Sequence, residues 1–355
     1  MLKFQEIKFT PQNKIIFLCG TKYEKKSKDD KRNVLKEFLE QKGRGAKGLI
    51  LEEHFSFGKK SGSMLSYDDI FMKNLRDIEE LSATFADGII IIHDSISTGA
   101  ELAAFASNSL LEKKICVLEP DSTGIEESKI SAFLDLAFFR EGSEIHRIVY
   151  YPEVFSYHIS KEHIEKRTHF AGNEITPLLS KKLDGFLDKC DDFLDIKYER
   201  TAFGRINSSS NVISYHVEEE VLNVSISGRV LLYQMIALME SDMVKAEVRN
   251  SKKLYQHVDF IHEQYCEILK SSIQDLIMET ISKVKVRIKE NKSNSRNVVG
   301  YSLYMMQALG LIKIKIVSDL CQISMEKDIE KYWDALTGML VEEADDVLTG
   351  LLMDE

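Results

Sequence analysis

Residues 93–101 read HDSISTGAE and put a histidine, two carboxylates and three hydroxyls within nine positions. They follow GIIII (88–92), a continuous apolar run that suits a parallel strand buried on both faces. A second run, KIIFLCG (14–20), ends at Cys19-Gly20-Thr21, where glycine lets a ligand approach the backbone. Ligands of open α/β sheets bind at such carboxyl ends, where the strand order reverses. Ser95, Ser97, Thr98 and Gly99 read as a turn opening a helix whose free N–H groups and dipole favour an anion. Glu101 then falls in the first helical turn, where those groups keep it ionised. A carboxylate at a pocket floor can stabilise or trap the positive charge that develops at a ribose anomeric carbon as its base departs. His93 is the candidate proton donor to that base. The competing reading makes Glu101 a favourable helix-start acid on an exposed face and His93 a structural hydrogen-bonder.

The elements that position these residues alternate. KIIFLCG, a charged helical stretch from about 29 to 41 and GLILEEHF form one β-α-β unit. Ser66 and Asp69 mark a capping-box-like start, and Phe71, Leu75, Ile78, Ser82 and Phe85 recur at helical spacing before GIIII. A helix from about 100 to 111, the strand KICVL (114–118), a helix near 126–139 and the strand RIVYY (147–151) complete the series. The expected fold is α/β, a flavodoxin- or Rossmann-like doubly wound parallel sheet followed by a mostly α-helical C-terminal domain. The expected division is a catalytic domain at 1–172, a helical connector and linker at 173–212, and a helical regulatory or partner-binding domain at 213–355. Residues 174–200, 228–248 and 252–290 read as helical, RINSSSN (205–211) as linker, and 301–317 as a helix running into a strand.

Composition narrows the class. The 355 residues are 44% hydrophobic and 29% charged, ordinary for a globular chain. No apolar stretch approaches bilayer-spanning length and the start lacks a signal-peptide layout, so a cytoplasmic protein without membrane contact is expected. The five cysteines are widely spaced with no C-x-x-C pair, which favours buried thiols. His158, His163 and His169 are spaced five and six apart, which no helix face gathers, and no metal site is expected. A net charge of −10 argues against a wholly nucleic-acid-tracking surface. The charge is uneven: residues 281–315 hold eight bases against one acid, and the tail from Val341 holds six acids and no base. Lys285, Arg287, Lys289, Lys292 and Arg296, with Tyr301 and Tyr304 nearby, could grip a nucleic-acid backbone while a ring stacks on a base. A solvated helix face competes with that reading. Glu218, Glu219 and Glu220 read as a charged helix start, and Tyr67, Asp68 and Asp69 as a helix start with ribose contact as the alternative.

IIFLCG (15–20), LSYDDIFMKNLRDIEELSATFADGIIIIHD (65–94), STGAELAAFA (97–106) and KKICVL (113–118) together resemble the nucleoside 2-deoxyribosyltransferase-like superfamily, most of all the branch serving as toxic effectors in retron anti-phage systems. The likeness covers about residues 14–150. It implies a flavodoxin-like sheet with Glu101 as the catalytic glutamate, Ser97, Thr98 and Gly99 as the phosphate- or ribose-contacting turn, and Gly20 as the first-strand glycine. Asp94 sits near the family's strand-end acid, which makes it a catalytic candidate beside Glu101 and His93. Transferases of the family usually read Gly-Thr-x-x-Glu, whereas this chain has Thr98-Gly99-Ala100-Glu101, with Ala103 where a glycine is usual. The resemblance therefore implies cleavage of NAD or a related nucleotide as substrate, with no cofactor. It also implies a reverse transcriptase with its RNA–DNA hybrid as partner, and a homo-oligomer is expected. True deoxyribosyl transfer and a nucleotide-sensing module without turnover remain open alternatives.

Overall fold

The computed structural model describes residues 2–6, 14–27, 30–55, 74–120, 132–140, 142–150, 154–158, 163–167, 175–190, 196–203, 205–277, 279–291 and 293–326, with 120, 132, 150, 154–158 and 163–167 described by backbone. Ser66, Tyr67, Asp68, Asp69, Phe71, His169, Lys292 and the acidic tail lie outside them. Contacts divide the chain into two units, one comprising Asn13–Phe55 and Ser82–Asp191, the other Met1–Gln12, Ser56–Leu81 and Asp192–Glu355.

The first is an α/β unit. Its elements are β1 (Lys14–Cys19), α1 (Lys31–Leu39), β2 (Ala46–Leu49), α2 (Leu51–His54), α3 (Leu75–Phe85, which enters the unit at Ser82), β3 (Gly88–Ile92), α4 (Ile96–Ala106), α5 (Ser109–Glu112), β4 (Ile115–Pro120), α6 (Ala132–Phe138), β5 (His146–Tyr150), β6 (Val154–His158), β7 (His163–Arg167) and α7 (Pro177–Leu187). Five parallel strands follow the order β2-β1-β3-β4-β5, a doubly wound parallel sheet as expected, with the flavodoxin-like strand order. All five residues of β3 are buried, because helices cover both faces of the strand. Ile16, Leu18, Ile90, Ile92, Cys116 and Leu118 pack with Leu35 and Phe38 of α1 and Leu183 and Phe186 of α7. The alternate positions point to the opposite face, where the Phe17 ring meets Phe105 of α4 at 6.2 Å.

Small residues and one buried acid fix the centre of this sheet. Asp87, 7% exposed, accepts a hydrogen bond from Ile15 N at 2.9 Å and locks β1 beside β3. The acid of the Ala86-Asp87 pair is therefore structural. A methyl group on Gly88 would lie 3.0 Å from both Ile16 Cδ1 and Phe186 Cζ, in a core with no room to give. Gly88→Ala is expected to destabilise the chain by about 1–3 kcal/mol through overpacking, read from the shift of its urea unfolding midpoint.

The second unit holds β8 (Lys197–Arg200), β9 (Val212–Glu218), β10 (Val221–Ile226), α8 (Gly228–Glu240), α9 (Asp242–Val248), α10 (Leu254–Gln274), β11 (Lys283–Ile288), α11 (Ser295–Ala308), β12 (Ile312–Val317) and β13 (Leu320–Met325). It carries more strand than its apolar stripes suggest. The helix expected over 252–290 ends at Gln274, and KVKVRI, which alternates with period two, forms β11. The helix expected over 174–200 likewise ends at Leu187, and 197–200 pair in parallel with β9. Glu219 and Glu220 form the β9–β10 hairpin turn at φ 48° and 62°, not a helix start. Residues 205–211 connect β8 to β9 within one sheet of order β11-β10-β9-β8. The helix-to-strand passage expected over 301–317 is α11 followed by β12.

This unit is built around α8, whose residues from Gly228 to Met239 are all buried. Inside it the Tyr265 hydroxyl donates to Gln234 Oε1 at 2.8 Å. A 3-10 turn at Phe4–Glu6 seats Phe4 against the Tyr265 ring at 5.5 Å, with Phe4 N donating to Ser272 Oγ at 2.9 Å. Among the described residues, no helix is long and apolar enough to cross a membrane.

Candidate functional site

The strand order reverses between β1 and β3, and a cleft of about 230 Å³ opens at their carboxyl ends. Gly20, Thr21, Lys22, Glu24, Asp30, Lys31, Arg32, Ile92 and Asp94 line it. Two strand ends that are remote in sequence thus meet in one crevice, as the reading of Gly20, Thr21 and Asp94 requires. Its wall is built on the start of α1. Asp30 caps that helix, its Oδ1 accepting from Arg32 N at 2.9 Å. The same carboxylate receives the Arg32 side chain at 3.2 Å from Nε and 3.0 Å from Nη2, while Nη1 donates to Glu52 Oε1 at 2.8 Å. Arg32 Nη2 also donates to the Thr21 carbonyl, and the side chain is only 2% exposed. Gly20 is needed beside it, because a Cβ there would sit 3.0 Å from Arg32 Cδ and Nε. Across the cleft, Lys31 Nζ lies 3.5 Å from Asp94 Oδ2.

The loop over the cleft is pinned from α1 as well. Asn33 Nδ2 donates to the carbonyls of Glu24 at 2.9 Å and Ser27 at 2.7 Å, and Glu24 N donates to Asp30 Oδ2 at 2.9 Å. The Tyr23 hydroxyl lies 2.9 Å from Asn33 Oδ1 and 2.7 Å from Glu53 Oε1. Burial and the Glu53 carboxylate push that phenol well above its ordinary pKa.

After β3 comes α4, which begins one residue after Ser95 and not at Ala100. Ser95 is the N-cap: its Oγ accepts from Thr98 N at 3.3 Å while Ser95 N donates back to Thr98 Oγ1 at 3.2 Å. Ser97, Thr98 and Gly99 are therefore inside the first turn of the helix, and Glu101 stands in the second. Thr98 is fully buried and works as a capping partner. The capping residues could be read from the sequence, but the Ser-Thr-Gly order disguised where the helix starts. Glu101 is half-buried. It stands four residues, one helical turn, before Phe105, which rests on Phe17 of β1. Residues at i and i+4 share a ridge, so Glu101 lies one turn above the Phe105–Phe17 contact on the β1 side of α4, outside the residues that line the cleft.

His93 takes a different direction. Its Nδ1 lies 3.3 Å from Oε1 of Glu119, the residue beside it on β4, and its Nε2 lies 3.4 Å from where a Gly99 Cβ would be. Gly99 and Glu101 are two residues apart on α4, hence on nearly opposite sides of the helix. His93 thus faces β4, and Glu101 faces β1. The Glu119 carboxylate raises the His93 pKa above its ordinary value, against the partial burial that lowers it. A group with a raised folded pKa contributes stability that is complete below its unfolded pKa and is lost as pH rises through the folded one. Glu119→Gln is expected to lower the His93 pKa in an NMR titration and to reduce stability selectively below about pH 6.5.

Gly20, Thr21 and Asp94, which sequence reasoning named, meet at one cleft, while Glu101, His93, Ser95, Ser97, Thr98 and Gly99 are not among its lining residues. Sequence reasoning missed Asp30, Lys31, Arg32 and Glu119. Asp30 and Arg32 were hidden in a lysine-rich run, although an aspartate just before a helical stretch is a capping signal. Glu119 was legible only from the register that sets it next to His93. Other candidates are dispersed. Lys285 and Arg287 are exposed on β11, while Lys289 is drawn onto the carbonyls of Ser209 at 2.8 Å and Val212 at 2.6 Å. Burial lowers the Lys289 pKa to about 8. Arg296 is paired with Asp259, and Tyr301 and Tyr304 are fully buried, with Tyr301 donating to the Ile78 carbonyl at 3.1 Å. Neither ring is available for stacking. The backbones of His158 and His163 are partners in the β6–β7 ladder. Among the described residues, no group of three His, Cys, Asp or Glu side chains could hold a metal.

No curated protein matches the chain. A family model does, and it runs from just before α1 to the middle of α10, across the cleft wall, α4 and most of the second sheet. Matching residues 28–263, well over half of the sequence, it shows that the chain belongs to the STM3845 retron effector protein family and so to anti-phage defence.

Proposed function

We propose that the α/β unit breaks the N-glycosidic bond of NAD or a related nucleotide, and that this activity is the toxic output of a retron system. The observation that carries the reading is the switch-point cleft lined by Gly20, Thr21, Lys31 and Asp94, with Glu101 half-buried on α4 one turn above Phe105, whose ring rests on Phe17 of β1. The superfamily resemblance of residues 14–150 supports it. In this scheme the C1′–N bond breaks with its electron pair going to the base nitrogen. Glu101 stabilises the C1′ cation, or traps it as an ester whose C1′–O bond breaks again with the electron pair returning to the carboxylate; water adds at C1′ and its proton passes to solvent. Ribose or phosphate is held by Gly20, Thr21, Lys31 and Asp94 along the cleft, with Ser95 and Ser97 at the α4 start.

The direction of His93 bears on the substrate. A purine or pyrimidine leaves a neutral nucleoside as an anion and calls for a proton donor. The nicotinamide of NAD is already cationic and leaves as a neutral molecule. A site whose histidine is turned away toward Glu119 suits the second kind of leaving group. Restraint of the activity is assigned to the second unit together with a reverse transcriptase and its RNA–DNA hybrid.

The test follows nicotinamide release from NAD by the purified full chain, with and without its reverse transcriptase complex, beside Glu101→Gln. Release by the wild type and its loss in the variant are expected. If neither NAD nor any nucleoside or deoxynucleoside is cleaved under either condition, the proposal fails.

A further inference from the structure

The four-stranded sheet of the second unit has two unlike faces. Its register sets Val284, Val286, Leu222 and Val224 on one face, which packs beneath α10 and α11. The other face carries Lys283, Lys285 and Arg287, every one exposed. A continuous row crosses its middle: Lys285 stands beside Asn223, and Asn223 beside His216. Phe203, 75% exposed, rests edge-on against the His216 ring at 5.5 Å.

We propose that this face binds single-stranded nucleic acid, with the β11 cations following the backbone and Phe203 stacking on a base. Alternate residues of a strand are about 6.6 Å apart, so the three cations form a line that an extended polyanion can follow. The charge is local and runs against a chain of net charge −10. Two acids bound the face. Glu218 ends the row of Val221 and Lys283, and Glu199, far from Arg287 across β10 and β9, receives Asn207 Nδ2 at 2.6 Å. The middle row contains neither. Lysines near a sheet edge also discourage strand pairing between molecules. That role leaves the exposed aromatic ring unexplained, whereas an unstacked base accounts for the ring and the cations together. A duplex hides its bases, so single strands are the preferred ligand. The inference is independent of the glycosidic chemistry, because every residue in it belongs to the second unit.

The experiment uses the full chain and labelled DNA and RNA oligonucleotides of about 15 nucleotides, single-stranded and duplex, read by fluorescence anisotropy at two salt concentrations. Single strands are expected to bind more tightly than duplexes. The double variant K285E/R287E should lose about tenfold or more in affinity and show a shallower salt dependence. F203A should lose about fivefold with its salt slope unchanged. These side chains are exposed, and circular dichroism verifies that each variant stays folded. Absence of single-strand binding by the wild type, wild-type affinity in K285E/R287E, or equal affinity for duplex overturns the proposal. So does a protein partner that is lost in these variants while their nucleic-acid affinity is unchanged.

Discussion

Glu101→Gln is expected to lower nicotinamide release by on the order of 10²–10³-fold while leaving the unfolding transition close to that of the wild type. The amide keeps the size of the side chain and can still accept a hydrogen bond, but it carries no charge. It loses only what a carboxylate gives a developing cation at C1′, so the loss should appear in kcat with KM nearly unchanged. A helix-surface acid would behave otherwise: removing it would change neither parameter and would shift stability by a few tenths of a kcal/mol. Glu101→Asp sharpens the contrast, since it keeps the charge and withdraws it by one methylene. Intermediate activity would favour a group in contact with the reacting carbon. Unchanged turnover in Glu101→Gln would remove the carboxylate from the chemistry.

The fold around Glu101 could be read from the sequence because buried parallel strands leave a coarse signal. GIIII, KIIFLCG and KICVL are apolar on both faces, and helical stripes separate them, so the layer order and the meeting of Gly20 with Asp94 follow from connectivity. The start of α4 was harder. Ser95 and Ser97 are both credible caps, and only the pairing of Ser95 with Thr98 decides between them. The second unit was hardest, because β11 alternates lysine with valine over six residues, a run too short to separate from the apolar stripe of α10 before it. Contacts that depend on register, such as His93 with Glu119, cannot be seen until strands are paired.

Replacing Arg32 is expected to be the most destabilising single change in the α/β unit: Arg32→Met should cost about 3–5 kcal/mol in urea unfolding. The aliphatic stem is conserved in volume, so the cost isolates the guanidinium. Its removal leaves the Asp30 and Glu52 carboxylates facing each other in a site where Arg32 is only 2% exposed, and frees the Thr21 carbonyl that closes the cleft loop. Arg32→Lys keeps one charge but cannot reach three acceptors in one plane, and should fall between the two. Gly20→Ala approaches the same arrangement from the other side, since its methyl would press on Arg32 Cδ and Nε at 3.0 Å. It should therefore couple to Arg32→Met in a double-mutant cycle, costing less in the variant background, where a side chain no longer fixed by its ion pairs can swing away from the methyl. Additive effects, or an Arg32→Met variant within about 1 kcal/mol of the wild type, would mean that the cleft wall does not depend on this ion-pair cluster. With coupling observed, the glycine after β1 acquires a second role: besides admitting a ligand to the backbone, it makes room for the arginine that shapes the cleft.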